Sequence, residues 1–441
     1  MEIGFLLVDF DVRSGPVISI SDGSIALSEE QADLIKLSVF PESASPLPQS
    51  RSHVYTFKVG DLFCYCSYNV EESQISDRGY ILYSFVIITK CAYYPLWQQL
   101  LESADSLENN SKNQKFELIC NFANKWINVI KSNESTDLPL FNGTVEYIAE
   151  SSTSTLELIG NGSFYKANNY YISNSISQAL GYQYLHKNHR TSDLVALWEG
   201  IMLDVPILVI GSTPRIVSEA VFAIASLKFP EICPNIYPYI SITDKRFVNL
   251  ANNPVGIVGT SNPLASVIAH KFPLVFQVGF SNENGVVKPV NPKSNIQSFN
   301  EKTIRPFFFS NTERARISLC ETIDDMLSHN FVDVLLGVYN VSFLEKHIKQ
   351  RNVISTMSHS SFAKKIIKTV FSRTVRISKI CSTSTVQRIN EFDLNSVFKS
   401  LKPEELDKAK QKYTKAFSLY AENQEMKRAL KNHMRLIQLV K

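Results

Sequence analysis

The sequence predicts three successive modules: an antiparallel α+β module, an α/β module with a helix-covered, largely parallel sheet, and a mostly helical module. Strand pairs joined by turn residues open the chain, and alternating helix and strand patterns fill its middle. Helical periodicity ends the chain: it predicts a helix at Val332–Gln350 with Phe343 on its apolar stripe, and one long charged helix at Pro403–Val440. The predicted boundaries are 1–131, 176–292 and 293–441, with a polar linker rich in Ser, Thr and Asn at 132–175.

The first module begins with a hairpin pattern. Ile3–Asp11 and Val17–Ile20 are strand-like, and a Ser-Gly-Pro turn separates them. Ser28 and Gln31 have the spacing of a capping box, which predicts the start of a helix. Three further strands are predicted at Val54–Lys58, Asp61–Val70 and Tyr80–Lys90. Two helices follow them, one that begins at Pro95 and one at Phe116–Ile130.

The second module alternates helices with short apolar runs. A helix carries Leu194, Leu197, Trp198 and Ile201 at helical spacing, and Pro206–Ile210 is wholly apolar, as in a strand buried on both faces. The other elements are a helix after Pro214, strands at Tyr237–Asp244, Val255–Gly259 and Leu274–Val278, and a helix that Asn262 caps and Pro263 opens.

No enzyme motif accompanies this predicted sheet. The sequence contains no GxGxxG after a strand, no GxxxxGK[ST] and no GxSxG, and the loop after Ile210 offers one glycine and no lysine for a phosphate. Asp204 and Glu219 are single acids, which we interpret as solvated helix ends. The seven cysteines show no CxxC or CxxxH spacing and are predicted to be reduced core residues. No catalytic group, cofactor or metal is therefore predicted, and the sheet is interpreted as a recognition scaffold.

Charge is unevenly distributed along the chain. The whole chain has a formal charge of +3, but Phe343 to Lys441 carries 21 Lys and Arg against 8 Asp and Glu, or +13. Two interpretations stay open: solvated basic faces of a helical domain, which we favour, or a surface for an anionic membrane. A nucleic-acid partner is not predicted. The first ten residues include Glu2 and Asp9 without a basic leader, so they are not predicted to be a signal peptide. The reduced cysteines predict a cytosolic protein.

Four segments of the second module resemble DENN-domain proteins when taken together and in order. They are Leu197-Trp198-Glu199, Pro206–Ile210, Pro238–Thr243 (which contains Tyr239) and Ser261-Asn262-Pro263. The most similar subgroup is the one called DENN domain-containing protein six. The first module resembles the longin-like upstream module of these proteins, through Phe40-Pro41-Glu42-Ser43 and Arg78-Gly79-Tyr80, and the third resembles their helical downstream module.

This resemblance implies a guanine-nucleotide exchange factor for a Rab-type small GTPase. It also implies a cytoplasmic protein peripherally associated with endosomal or vesicle membranes. Such a protein needs no bond-making active site, because exchange requires only tighter binding to the GTPase that has released GDP. The residues that match family motifs, Trp198, Pro206, Tyr239, Asn262 and Pro263, are interpreted as structural.

Arg78 is the candidate GTPase-contact residue. The alternative is an arginine that caps a hairpin loop. Folliculin-type relatives have an Arg-Gly before the corresponding long strand, and their arginine acts as a finger in GTP hydrolysis. The resemblance therefore leaves two further functions open: a GTPase-activating subunit that uses Arg78, and a DENN scaffold that changes no nucleotide state.

Overall fold

The computed structural model divides the chain into two compact units, 1–152 with 162–309, and 153–161 with 310–441. Each is described by itself. The structure describes residues 2–41, 53–74, 79–90, 94–107, 109–132, 136–147, 191–228, 233, 235–241, 244–283, 286–289, 307–308, 310–319, 321–322, 341–371, 399, 401–419 and 424–439.

The first unit opens with a five-stranded antiparallel sheet. Its strands, in spatial order, are β2 (Gly15–Gly23), β1 (Ile3–Asp11), β5 (Tyr80–Thr89), β4 (Leu62–Glu72) and β3 (His53–Val59). Neighbouring strands joined by short turns predicted this antiparallel pairing, and all five predicted strands are confirmed. The strand β3 lies at one edge of the sheet.

Three helices accompany this sheet: α1 (Glu29–Ser38), α2 (Tyr94–Ser103) and α3 (Lys112–Ser132). The predicted capping box is confirmed, because the Ser28 side chain accepts from the Gln31 N–H while the Gln31 side chain accepts from the Ser28 N–H. Fully buried Trp97 of α2 and Trp126 of α3 stack with ring centroids 5.7 Å apart, which joins the two helices.

A short hairpin follows α3 inside the segment predicted to be a polar linker. Its strands are β6 (Thr136–Leu140) and β7 (Gly143–Tyr147), and Leu138, Val145 and Tyr147 are buried. The Trp126 indole donates to the Pro139 carbonyl at 2.9 Å, which anchors the hairpin to α3. Residues 136–147 therefore belong to the folded layer, and the rest of the predicted linker, 148–175, lies outside the described residues.

A four-stranded parallel sheet forms the second layer of this unit. Its order is β11 (Leu274–Val278), β8 (Ile207–Gly211), β10 (Ile257–Thr260) and β9 (Ile236–Tyr237). The prediction of a doubly buried strand at Pro206–Ile210 is confirmed, since β8 is an interior strand and all five of its residues are buried. The strand predicted over Tyr237–Asp244 is wrong in length: β9 ends at Tyr237, because Pro238 has no N–H to continue the ladder.

Helices cover the parallel sheet: α4 (Thr191–Met202), α5 (Pro214–Ser226) and α6 (Lys245–Asn252). The Asn262 side chain accepts from the Leu264 N–H at 2.9 Å, as predicted, but the helix it caps, Pro263–Lys271, is a 3-10 helix.

Every residue of α5 from Ile216 to Ala225 is buried. The prediction that Glu219 is a solvated helix end is therefore wrong, because α5 has no solvent face there. Asp204 lies just past α4, partly exposed and 3.4 Å from Lys228. A small hairpin, β12 (Phe280–Glu283) with β13 (Val286–Pro289), follows β11.

The second compact unit is helical where the structure describes it. Its helices with defined bounds are α7 (Val341–Gln350), α8 (His359–Phe371), α9 (Pro403–Leu419) and α10 (Gln424–Leu439), and residues 310–319 are also helical. The helix predicted at Val332–Gln350 is described from 341 onward. Its buried stripe is Leu344 and Ile348, and the prediction that Phe343 lies on that stripe is wrong, because Phe343 is 40% exposed.

The charged segment from Pro403 to Val440, predicted to be one long helix, instead forms the two helices α9 and α10. They run antiparallel, because Tyr413 contacts His433 (ring centroids 6.1 Å apart) while Lys427 lies over the Phe417 ring at 5.7 Å. Tyr413, Ala416, Leu430 and Ile437 are buried, so the pair has its own apolar seam.

The layout is consistent with a longin-like α+β module followed by an α/β module. An antiparallel sheet lies near the amino terminus, and helices surround a parallel sheet in the middle. In the part of the chain that the structure describes, no helix is both long and apolar enough to span a bilayer.

Candidate functional site

The residues predicted from family motifs are spread over the α/β layer and do not form one cluster. Trp198 of α4 is fully buried and lies beside Phe308, with ring centroids 6.4 Å apart. Pro206 is partly buried directly before β8, and Pro263 follows the capping residue Asn262. Tyr239 is 2% exposed and packs edge to face on Tyr55 of β3, with centroids 5.3 Å apart.

Arg78 itself lies outside the described residues, but the hairpin that carries it is described on both sides. The strand β4 ends at Glu72 and β5 begins at Tyr80. Between them, the Ser73 N–H donates to the Gly79 carbonyl at 2.9 Å. Gly79 has φ +76°, a backbone conformation that glycine adopts without steric cost. A backbone hydrogen bond thus joins the two flanks of the loop.

The two sheets of the first unit meet where α5 packs against the edge strand β3, a contact that we call the sheet junction. A polar group of four side chains lies there. Glu219 Oε1 accepts from the Gln98 amide at 3.0 Å and from Arg215 Nε at 3.1 Å, while Arg215 Nη2 lies 2.8 Å from Glu102. Since Gln98 and Glu102 belong to α2 and the other two to α5, these bonds connect the helices of the two layers.

The Glu219 carboxylate is buried with few hydrogen bonds to offset the loss of water. The residue is 3% exposed, and its second oxygen, Oε2, has no hydrogen-bond partner among the residues that the structure describes. Burial raises the pKa of Glu219, and the Arg215 guanidinium and the Gln98 hydrogen bond oppose that rise only in part. Burial also lowers the pKa of His53 on β3, with a contribution from the charge of Arg215. Sequence analysis missed this group, because Gln98 and Glu219 are 121 positions apart.

The raised pKa of Glu219 predicts how stability depends on pH. A carboxyl whose pKa is higher in the folded than in the unfolded protein binds its proton more tightly when folded. Folding therefore gains stability from this group as pH falls through the folded pKa toward the ordinary value of 4.5. We expect the free energy of unfolding of the native chain, relative to Glu219→Gln, to rise as the pH falls through the raised folded pKa toward 4.5. Urea unfolding of both chains at each pH measures this difference, and a constant difference would contradict the assignment.

A second polar contact ties the same layers together through α6. Arg246 forms an ion pair with the fully buried Asp244, the residue that caps α6, with Nη2 2.5 Å from Oδ2. Arg246 Nη1 also donates to the Lys58 carbonyl of β3 at 2.5 Å. With the Tyr55–Tyr239 contact, the edge strand β3 is held by residues from both ends of the segment 239–246. The two sheets are therefore fixed to each other by charge-assisted as well as apolar contacts.

An apolar ridge lies beyond the carboxyl ends of the parallel strands. The 3-10 helix that follows β10 exposes Leu264 (65%) and Val267 (68%). Because residues three apart are eclipsed in a 3-10 helix, the two side chains lie on one face. Ligands of open α/β sheets bind outside the carboxyl ends of the strands. These two side chains are among the most exposed apolar groups of the first unit.

Among the residues that the structure describes, no three His, Cys, Asp or Glu side chains are grouped so as to hold a metal ion. The described cysteines are buried and free, and burial raises the pKa of Cys66 and of Cys120 to about 12. These thiols stay protonated at neutral pH and are poor nucleophiles.

Comparison with known proteins gives two relatives and no matching protein-family model. Protein DENND6 homolog from Dictyostelium discoideum is 21% identical over 291 residues, which are 55% of this chain and 40% of that protein. Protein DENND6B from Mus musculus is 23% identical over 223 residues, which are 49% of this chain and 38% of that protein. The matched regions thus span about two fifths of the length of these relatives.

These similarities support a DENN-domain protein, the family that the four sequence segments resemble. Within that class, both relatives support the DENND6 type. The resemblance predicted from the sequence is confirmed.

Proposed function

We propose that this chain is a guanine-nucleotide exchange factor that promotes GDP release from a Rab-type small GTPase in endosomal or vesicle traffic. The observation that carries the proposal is the DENND6-type similarity of a chain whose antiparallel and parallel sheets form one compact unit. DENN-domain proteins are generally exchange factors for Rab GTPases.

The mechanism needs a rigid surface and no reacting group. A protein that binds the nucleotide-free GTPase more tightly than the GDP-bound form lowers the barrier to GDP release by that difference. Each tenfold acceleration requires a preference of roughly 1.4 kcal/mol. A deformable surface would adapt to both forms and lose the preference. The contacts of Arg215 with Glu102 and of Arg246 with the Lys58 carbonyl join the two layers, and they support the proposal of a rigid surface.

The test is the release of fluorescent GDP from a panel of purified Rab proteins, with and without the full chain. We expect at least one endosomal Rab to release GDP faster, in proportion to the concentration of the chain. GTP hydrolysis measured on the same panel separates the alternatives. Stimulated hydrolysis without stimulated release indicates the GTPase-activating function, and binding without either indicates a scaffold.

Arg78 is proposed as the residue that separates exchange from activation. As a docking charge, Arg78→Ala removes a charge-assisted contact of about 1.5–3 kcal/mol, so stimulated GDP release should fall roughly ten- to a hundredfold. As an arginine finger, it would leave release unchanged and abolish stimulated hydrolysis, a loss of about 10³-fold or more. We expect the loss of release. Arg78→Lys is the companion variant, because lysine keeps the charge but lacks the planar fork. Unchanged release and hydrolysis in both variants would make Arg78 a loop residue only.

A further inference from the structure

The last helix of the described chain, α10, has two different faces. Leu430, His433 and Ile437 are buried, at 0%, 4% and 1% exposure, and they form the side that packs in the pair of α9 and α10. Arg428, Lys431 and Arg435 are exposed. With about 100° of rotation per residue, these three cations and Leu439 fall within an arc of about 80°, opposite the buried side. We call these four residues the basic face.

The cations of the basic face have no anionic partner among the side chains that the structure describes. None of Arg428, Lys431 and Arg435 has an ion-pair partner within the described ranges, and the sequence has no Asp or Glu from Met426 to Lys441. The neighbouring Lys410 of α9, by contrast, lies 3.2 Å from Asp407. Three like charges over about 10 Å of one helix repel each other unless an anionic surface faces them.

The structure of this face favours a membrane over the other anionic partners. Proteins that bind single-stranded nucleic acid combine cations with aromatic platforms for the bases. The basic face carries no aromatic residue. It ends instead in Leu439, which is 71% exposed, and an apolar side chain beside cations suits the headgroup region of a bilayer. Exposed Lys408 and Lys415 on α9 add to the positive potential of the same helix pair.

We propose that the basic face of α10 is a docking surface for a bilayer with anionic headgroups. The surface acts by attraction to the negative leaflet, with Leu439 entering the headgroup region, while the apolar side of α10 stays in its contact with α9. This attachment does not depend on the proposed exchange activity. The alternative interpretation of Phe343 to Lys441, in which its basic helical faces are only solvated, predicts no localised membrane-binding surface.

The experiment measures co-sedimentation of the full chain with vesicles of phosphatidylcholine alone or with phosphatidylserine added, at low and high salt. Each Lys or Arg near an anionic leaflet raises partitioning roughly fivefold. Replacing Arg428, Lys431 and Arg435 together with Gln should therefore lower partitioning into phosphatidylserine vesicles by roughly a hundredfold. Added salt should weaken binding of the native chain, because it screens the attraction.

The matched control replaces exposed Lys346, Lys349 and Lys364 with Gln, which removes the same charge from the same compact unit. We expect this control to retain most of the binding, and circular dichroism should show both triple variants folded. Equal losses in the two triple variants, equal binding to phosphatidylcholine vesicles, or no binding would overturn the proposal. So would an α10 triple variant that keeps vesicle binding and loses binding to a DNA duplex. The assay contains no GTPase, so its failure leaves the exchange proposal untouched.

Discussion

Replacing Arg215 with Met should lower the free energy of unfolding of the first unit by about 3 kcal/mol. Removing one partner of a buried ion pair leaves the other charge uncompensated, which typically costs about 3–5 kcal/mol, and the partial exposure of Arg215 brings the expected loss to the lower end. Here the charge that loses its partner is the Glu219 carboxylate, whose side chain is 2% exposed. Its Oε2 already has no hydrogen-bond partner among the described residues. Met keeps the apolar stem of the arginine, so the loss reports the charge.

Urea unfolding followed by tryptophan fluorescence measures this effect selectively, because Trp97, Trp126 and Trp198 are all in the first unit. Adding Glu219→Gln to Arg215→Met should restore most of the loss, since the neutral amide removes the buried charge. The control is Lys36→Met, which breaks the Lys36–Asp33 pair, whose acid is 59% exposed where Glu219 is 2% exposed, and it should cost less than about 0.5 kcal/mol. If Arg215→Met costs no more than Lys36→Met, the sheet junction is not held by this ion pair.

Gly256→Ala should destabilise the same unit by roughly 2–5 kcal/mol. Gly256 directly precedes β10 and has φ +65°, a conformation that costs an alanine about 1–2 kcal/mol. A methyl group there would also lie 1.9 Å from the Asn235 carbonyl oxygen. This overpacking adds about 1–3 kcal/mol, because the Asn235 carbonyl oxygen belongs to the backbone and cannot rotate away from the methyl group. Unfolding of the first unit by urea, with the same fluorescence, gives the value.

Gly15→Ala separates the two causes. Gly15 also has a positive φ, +80°, but nothing lies within 4 Å of the position of its Cβ. Its replacement should therefore show the backbone cost alone, about 1–2 kcal/mol. Equal losses at the two glycines would mean that the close approach of Asn235 to Gly256 contributes nothing.

Elements whose pattern is local could be predicted from the sequence. The strand β8 is interior because Ile207–Ile210 has no polar residue to face solvent, and the capping box of Ser28 needs only residues three apart. The strand predicted over Tyr237–Asp244 failed for a reason visible in the chain itself, since Pro238 cannot donate to the ladder. Ile240 still donates to the Gly259 carbonyl at 2.8 Å, so the extended path continues beside β10 without ladder pairing.

Features that depend on distant residues could not be predicted. Glu219 resembled a solvated acid because its partner Gln98 belongs to another module. The separation of α9 from α10 was missed because residues 420–423 contain neither Gly nor Pro, so helical periodicity runs on without a stop signal. The two helices contact each other through Tyr413 and His433, among other residues, and a single sequence does not reveal such a contact.

As an exchange factor, the chain should prefer a Rab GTPase without nucleotide over the same GTPase with GDP. The most direct measurement is the Kd of the full chain for both forms of the Rab whose GDP release it accelerates, by titration calorimetry. We expect the nucleotide-free form to bind at least about a hundredfold more tightly, which corresponds to roughly 2.7 kcal/mol of preference. Equal affinity for the two forms would contradict the account, because a ligand that binds two states equally shifts neither.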